Sequence, residues 1–527
     1  MKIALLEHPR TKPPERCNDI ANAPLSSCLL TGYTASALLM EGHEVEVIEG
    51  HMEGLSYQQI GQRLREIGPD LLGVHMVYMW DKGNGEKEKS LAGFLSKMKK
   101  EGAAPFVAAY GYYPTFAAEQ LLSSKTKSPF ALDAVLLGEP ELTFAALAAR
   151  LALGRPIRGL PGIAMVEDGS LCFLSSPPII AKDLDALAFP LRTEAMRRLP
   201  EVNLLGSRGC HGRCVFCHIP SFFGDGRPLW RGRSPENIVL EIDSIMAKDG
   251  ARYFYFADPD FFGPGEIGQK RALKLAPMLG ERGITFGFEA RADHIKEKTI
   301  AALAKAGLRH ILVGFESGSA LALRRLRKMS SVAENEEAIK TLRRHGIEPN
   351  AGFIMFDPDS TLADIRDSFR FLKRNGLLHD LQVTANVLSH HQIVLRGTET
   401  FLALPHQKNY EGLPAFKDPL VHSLSVIMRK TAGLVFRRMD GIWSGRVTAP
   451  AGTEETCRRI NDFLVGLFEE NLQRFLLSPN DPGLVADADV TARSEEYLNR
   501  MFNRMMDDKV IGNNGFLGTW GRKPPHC

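Results

Sequence analysis

The chain has 527 residues, 44% hydrophobic and 24% charged, with 65 Lys and Arg against 62 Asp and Glu and a formal net charge of +3. That length asks for more than one domain, and that composition for a soluble globular fold with ample core rather than a disordered or fibrous chain. The near balance of charge offers no electrostatic footprint for a nucleic-acid backbone, and no run approaches the roughly 18 apolar residues of a membrane span, so neither partner is expected. The start, MKIALLEHPR, is too briefly apolar for a signal peptide.

In chain order, KIALLE reads as a strand, Ser36–Met40 as the end of a helix and HEVEVIE as a second strand. SYQQIGQRLREIG is helical, with Ile60, Leu64 and Ile67 on one face and Gly68 as its stop. DLLGVHMV, PFVAAYG and LDAVLLGEPE add strands, each separated by a helix, so residues 1–155 predict a Rossmann-like α/β domain. The Gly- and Pro-rich texture of 156–200 predicts a small hairpin and linker. A second alternation fills 201–404, where RSPENIVLEIDSIMAKDG has Ser234 as N-cap and Pro235 at the first helical position. YFYFADPD, ITFGFEAR, HILVGFES, PNAGFIMF and LQVTANVL are its later strands, about six strand–helix units and thus a partial (β/α)6 barrel. Residues 405–527 read as mostly helical, a region expected to cover the barrel mouth and set specificity.

The chemistry is concentrated in NLLGSRGCHGRCVFCHIPS, where Cys210, Cys214 and Cys217 have the spacing C-x3-C-x2-C directly after a strand. Cys17, Cys28, Cys172, Cys457 and Cys527 are scattered, which is no disulfide framework and points to a reducing, cytoplasmic compartment. Three clustered thiols suit an iron–sulfur cluster with one iron left open for a ligand. A zinc site completed by His211 or His218 is the alternative, and would make the chain a zinc-stabilised binding protein.

With Phe216 before the last cysteine, this loop resembles the cluster motif of the radical S-adenosylmethionine (SAM) superfamily. FADPDFF, FEARAD and GLRHILVGFESGS resemble later strand-end segments of that family, whereas FIMFDPDST departs from its pattern and nothing is carried over from it. The resemblance implies a [4Fe-4S] cluster on the three cysteines, with Phe216, Asp258, Asp260, Arg291 and Glu316 around SAM. Asp258 and Asp260 also suit a turn cap, and Arg291 and Glu316 a rim salt bridge.

LLGEPELTFAALAARL, GLPGIAMVEDGSL and KDLDALAFPLR look like the layout of the cobalamin-binding branch. That implies cobalamin on the N-terminal domain near Gly73, Tyr110, Gly111, Gly138 and Glu139, with Glu139 as a helix cap in the alternative. Tyr78, Trp80, Tyr110, Tyr112 and Tyr113 are expected in core or pocket wall rather than in the chemistry. His51, in EGHMEG, is read as a surface histidine rather than a cobalt ligand. His390 and His391 are read as a loop pair, and Arg437, Arg438 and Arg446 as surface charges or contacts to an anionic group.

The implied activity is methyl transfer. A deoxyadenosyl radical takes hydrogen from an unactivated carbon of a small-molecule substrate, and methylcobalamin supplies the methyl group. An electron donor such as flavodoxin or ferredoxin is the implied partner. Rearrangement or cyclisation without methyl transfer is the alternative outcome on the same scaffold.

Overall fold

The computed structural model describes residues 1–9, 29–77, 86–122, 130–167, 170–173, 178–199, 201–404, 416–444, 447–450, 452–478 and 488–507. Cys17, Cys28, Tyr78, Trp80, Arg446 and Cys527 lie outside them.

The N-terminal sheet contains β1 (Lys2–Glu7), β2 (Glu44–Glu49), β3 (Leu71–His75), β4 (Phe106–Tyr110), β5 (Ala134–Leu136), β6 (Ile163–Glu167) and β7 (Ser170–Phe173). Their order is β2-β1-β3-β4-β5-β6-β7, with the first five parallel and the last two antiparallel. Strand β1 is a continuous apolar run because both of its faces are covered: Ile3, Ala4, Leu5 and Leu6 are all buried. Ala4, Leu6, Leu72 and Val74 face a core shared with the helices Tyr57–Ile67, Glu86–Lys100 and Tyr112–Leu122. Ile3, Leu5 and Leu71 face Phe144 and Leu147 of the helix Pro140–Ala152. The expected hairpin is present as β6–β7. It is no separate linker, since β6 pairs with β5 and extends the sheet.

The second sheet is parallel, in the order β14 (Asn350–Phe353), β13 (Leu308–Glu316), β12 (Thr285–Arg291), β11 (Tyr253–Phe256) and β8 (Val202–Leu204). Between β8 and β11 the chain forms an antiparallel pair, β9 (Ser207–Cys210) with β10 (Leu229–Gly232). The helix Pro235–Asp249 follows as expected: Ser234 accepts a hydrogen bond from the Asn237 N–H (3.1 Å), and Gly250 ends it in the left-handed conformation.

One expected strand is a helix. LQVTANVL forms Leu381–Ser389, started by Asp380, whose carboxylate accepts from the N–H groups of Gln382 and Val383 (2.9 and 3.0 Å). Leu381, Ala385 and Leu388 are buried at helical spacing, and that burial outweighs the β-branched composition. The sheet therefore has five strands, and an isolated parallel bridge between Phe356 and His391 stands at the sixth position. The helices Pro419–Trp443, Thr453–Leu477 and Ala488–Asp507 pack outside Leu381–Ser389 and share one core with the sheet. Phe369 stacks on Phe468 at 4.8 Å there, and Arg438 donates to Asn499 Oδ1 (2.8 Å) between two of the long helices.

Beneath the strand ends lies a phenylalanine layer, Phe256, Phe261, Phe262, Phe286 and Phe288, all fully buried. Phe261 and Phe288 stack at 4.1 Å. Truncation of Phe288 to Ala is expected to lower unfolding stability by about 3–5 kcal/mol, the usual cost of an emptied aromatic site, measured as a shift in the urea midpoint.

Candidate active site

Strand β9 delivers the first cysteine. Gly209 has φ +79°, and a Cβ there would stand 2.0 Å from the Leu229 carbonyl oxygen, so only glycine lets β9 pair with β10 and bring Cys210 to the sheet's C-terminal mouth. The loop then runs through Cys214 and Cys217, with the Cys217 N–H donating to the Cys214 carbonyl (3.1 Å). Gly212 marks the cradle that these residues enclose. A Cβ on it would stand 2.9 Å from Arg291 Nη1, 3.4 Å from Cys210 Sγ and 3.8 Å from Cys214 Sγ.

All three thiols are half-buried. Burial, and then Asp260, push Cys210 up to about 12. Burial also pushes up Cys214, against the pull of Lys328 and Arg291, and Cys217, where Cys214 adds to it.

Arg291, at the end of β12, is buried and aimed. Its Nε and Nη2 donate to Asp293 (3.0 Å each) and Nη2 also to the Lys328 carbonyl (2.8 Å), which leaves Nη1 facing the cradle. Glu316, at the end of β13, has φ +61° and accepts from the buried Lys328 ammonium (2.8 Å). Lys328, which sequence reasoning missed, is thus a cation beside the cluster loop. Phe216 is half-buried within that loop.

Asp258 and Asp260 are fully buried, and their oxygens are committed inside the protein. Asp258 accepts from the Gly206 N–H and the Ser207 hydroxyl (2.7 Å each), bracing the turn into β9; burial pushes its carboxyl up to about 7. Asp260 stands 3.2 Å from both His211 Nδ1 and His294 Nδ1, whose rings stack at 4.9 Å. Burial pushes Asp260 up, yet those two imidazoles overcome it and hold the carboxylate below its ordinary range. Both acids therefore buttress the cysteine strand, in keeping with the alternative reading of them as structural caps.

Of the two histidines the zinc alternative offers, His218 is packed away from the thiols. The His218 ring is buried against Tyr112 (centroids 4.8 Å apart) and Phe116, and burial pushes it down to about 3. His211 is held by Asp260. Cys210, His211 and Asp260 could hold an ion among the described residues, but that set omits two of the three thiols.

The residues named for cobalamin are each packed against protein neighbours. Gly73 is mid-strand, where a Cβ would meet Leu5 and the Phe144 ring at 2.7 Å; its glycine serves packing. Tyr110 is in the core, its hydroxyl 2.9 Å from Thr31 Oγ1. Around Gly111 a Cβ would meet His75 (2.7 Å), and around Gly138 it would meet Pro178 (2.9 Å). Glu139 stands at the N-cap of Pro140–Ala152, but its side chain makes no capping bond. Instead its two oxygens accept from Arg208 (2.5 Å) and Arg231, while Arg208 Nη2 also donates to Glu141 (2.7 Å). This buried network ties the N-terminal domain to the cysteine-bearing hairpin. Apolar contact completes the junction: Leu30 with Ile219, Phe222 and Phe223, flanked by Tyr112 and Phe116.

Residues 204–372 match the radical SAM superfamily. The chain is 27% identical over 384 residues to an uncharacterized methyltransferase of Pyrococcus horikoshii, covering 71% of this chain and 78% of that protein. It is 25% identical over 358 residues to the anaerobic magnesium-protoporphyrin IX monomethyl ester cyclase of Rubrivivax gelatinosus, covering 65% and 61%. Among solved structures, the cobalamin-dependent S-adenosylmethionine radical enzyme OxsB, with aqua-cobalamin and S-adenosylmethionine bound, superposes with a TM-score of 0.76 at 19% identity, covering 98% of this chain and 82% of that one. The radical S-adenosylmethionine methyltransferase TsrM from Kitasatospora setae gives 0.54 at 18% identity, covering 71% of each.

Replacement of Arg208 by Met would leave Glu139 and Glu141 short of a buried counter-charge. A loss of about 3–5 kcal/mol in unfolding stability is expected, with part of it recovered when Glu139→Gln is combined with it; a double-mutant cycle in urea measures both.

Proposed function

We propose that this chain, whose residues 204–372 match the radical SAM superfamily and whose fold is shared with a cobalamin-dependent radical SAM enzyme, is a C-methyltransferase acting on an unactivated carbon of a small molecule. The observation that carries this reading is the C-x3-C-x2-C loop, with Cys210 Sγ, Cys214 Sγ and the Arg291 guanidinium converging around Gly212. An all-sulfur donor set with one place open suits a [4Fe-4S] cluster better than a closed zinc site. When bound, the cluster supplies the electron that cleaves SAM, cobalamin carries the methyl group, and an external donor such as flavodoxin or ferredoxin renews the electron.

The chain's own residues do the positioning. Arg291, braced by Asp293 and the Lys328 carbonyl, offers Nη1 to a carboxylate at the cradle. Glu316, held by Lys328, offers an acceptor beside it, and Phe216 a ring at the loop's edge. For cobalamin the support comes from topology rather than from the strand-end glycines. β2 and β3 flank β1 on opposite sides, so the chain diverges at the C-terminal ends of β1 and β3, where open α/β sheets take their ligands. The Glu139–Arg208 network keeps that edge against the cysteine hairpin.

A second reading, radical cyclisation without methyl transfer, is favoured by the relative named as a cyclase. The test is anaerobic reconstitution with iron, sulfide and hydroxocobalamin, followed by assay with methyl-labelled SAM. About four irons and one cobalamin per chain are expected, with iron lost in Cys214→Ala and label passing into product. Product without label would favour cyclisation, and iron without cobalamin would overturn the methylcobalamin reading.

A further inference from the structure

The cysteine loop is irregular between Cys210 and Ile219, and its internal hydrogen bonds, from the Gly212 N–H to Cys210 Sγ (3.3 Å) and from the Cys217 N–H to the Cys214 carbonyl (3.1 Å), leave the Val215 backbone to partners outside it. Two distant segments hold it from outside. The Val215 N–H donates to the Leu326 carbonyl (3.2 Å), and the Val215 carbonyl accepts from both the N–H (3.0 Å) and the hydroxyl (3.1 Å) of Thr400. Val215 sits between the second and third thiols, 185 positions from Thr400. The Thr400 hydroxyl has one proton and gives it to Val215, so it is an acceptor for Gln392 Nε2 (2.9 Å), which also sets the orientation of that amide. Gln392 is buried, and its backbone N–H donates to the Phe356 carbonyl (2.7 Å), just beyond β14. The result is a continuous run of hydrogen bonds from the sixth position of the sheet to the cysteine loop. A second tie lies beside it, from the Ser221 hydroxyl to the Gly397 carbonyl (2.7 Å).

We infer that Thr400 is a positioning residue for the cluster loop: its hydroxyl and N–H fix the Val215 carbonyl and with it the spacing of Cys214 and Cys217. The inference rests on the reading of the three thiols as cluster ligands. It also gives His390 and His391 a place, since they start the segment that performs the clasp; His391 is buried, its ring 5.2 Å from that of Phe356.

The test uses the full chain reconstituted anaerobically with iron and sulfide. It reads iron release to a ferrous chelator and the electron paramagnetic resonance spectrum of the reduced cluster. Thr400→Val keeps the volume and the backbone bond but removes the hydroxyl, stranding Gln392 Nε2. Iron release is expected to accelerate about three- to tenfold, the scale of one buried hydrogen bond, with a shifted or broadened spectrum. Thr400→Ser restores wild-type behaviour. Glu399→Gln, which breaks only the exposed pair with Arg327, leaves both readouts unchanged. Gln392→Met moves them in the same direction as Thr400→Val and replaces it if that variant does not fold. Unchanged readouts in both Thr400→Val and Gln392→Met overturn the inference, as does a serine variant as impaired as valine or a Glu399→Gln variant that matches it. A wild-type chain that takes up no cluster overturns the cluster reading itself, and this inference with it.

Discussion

Everything at the mouth of the second sheet depends on one buried ion network, Glu139–Arg208–Glu141 with Arg231 alongside. Arg208 is 2% exposed and its carboxylate partners 1% and 2%. Charges so deep stay ionised only when each is paired, and a guanidinium suits the task because its planar fork serves two carboxylates at once. The Tyr33 ring lies 4.7 Å from the Arg208 carbon centre and completes the enclosure. Since Arg208 is two residues before Cys210 and Glu139 opens the helix after β5, the network sets how the edge of the first sheet meets the cysteine strand.

Around the cradle the charges are arranged in held pairs. Asp293 braces Arg291, Glu316 holds Lys328, and Asp260 lies between His211 and His294. Each pair pre-orients a side chain at the end of a parallel strand, where the sheet brings distant segments together. Asp258 braces the approach to the cysteine loop, Leu326 and Thr400 hold its middle, and the phenylalanine layer beneath Asp260 gives these groups a rigid floor.

Local features were legible because local chemistry governs them. The C-x3-C-x2-C spacing, the Ser234–Pro235 helix start and the Gly68 stop each depend on residues within a few positions, and the structure has all three. LQVTANVL was misread for a local reason too: its β-branched residues suggested a strand, while Asp380 and the spacing of Leu381, Ala385 and Leu388 carried the helical signal. Conversely, Glu139 and Gly73 were singled out for their places near strand ends. What occupied the space beside them could not be read, because their neighbours Arg208, Arg231 and Phe144 are distant in the chain.

The sequence by itself determined the order of elements, the three-thiol loop and the class of chemistry, since periodicity, capping and ligand spacing are encoded within single turns and strands. Only the tertiary structure decided which side chains face the cradle. Arg291, named from the sequence, is aimed by the distant Lys328 carbonyl, and Thr400 meets the loop across 185 residues. Those contacts arise from parallel strand register and the burial of whole helices, and no short stretch of sequence displays them.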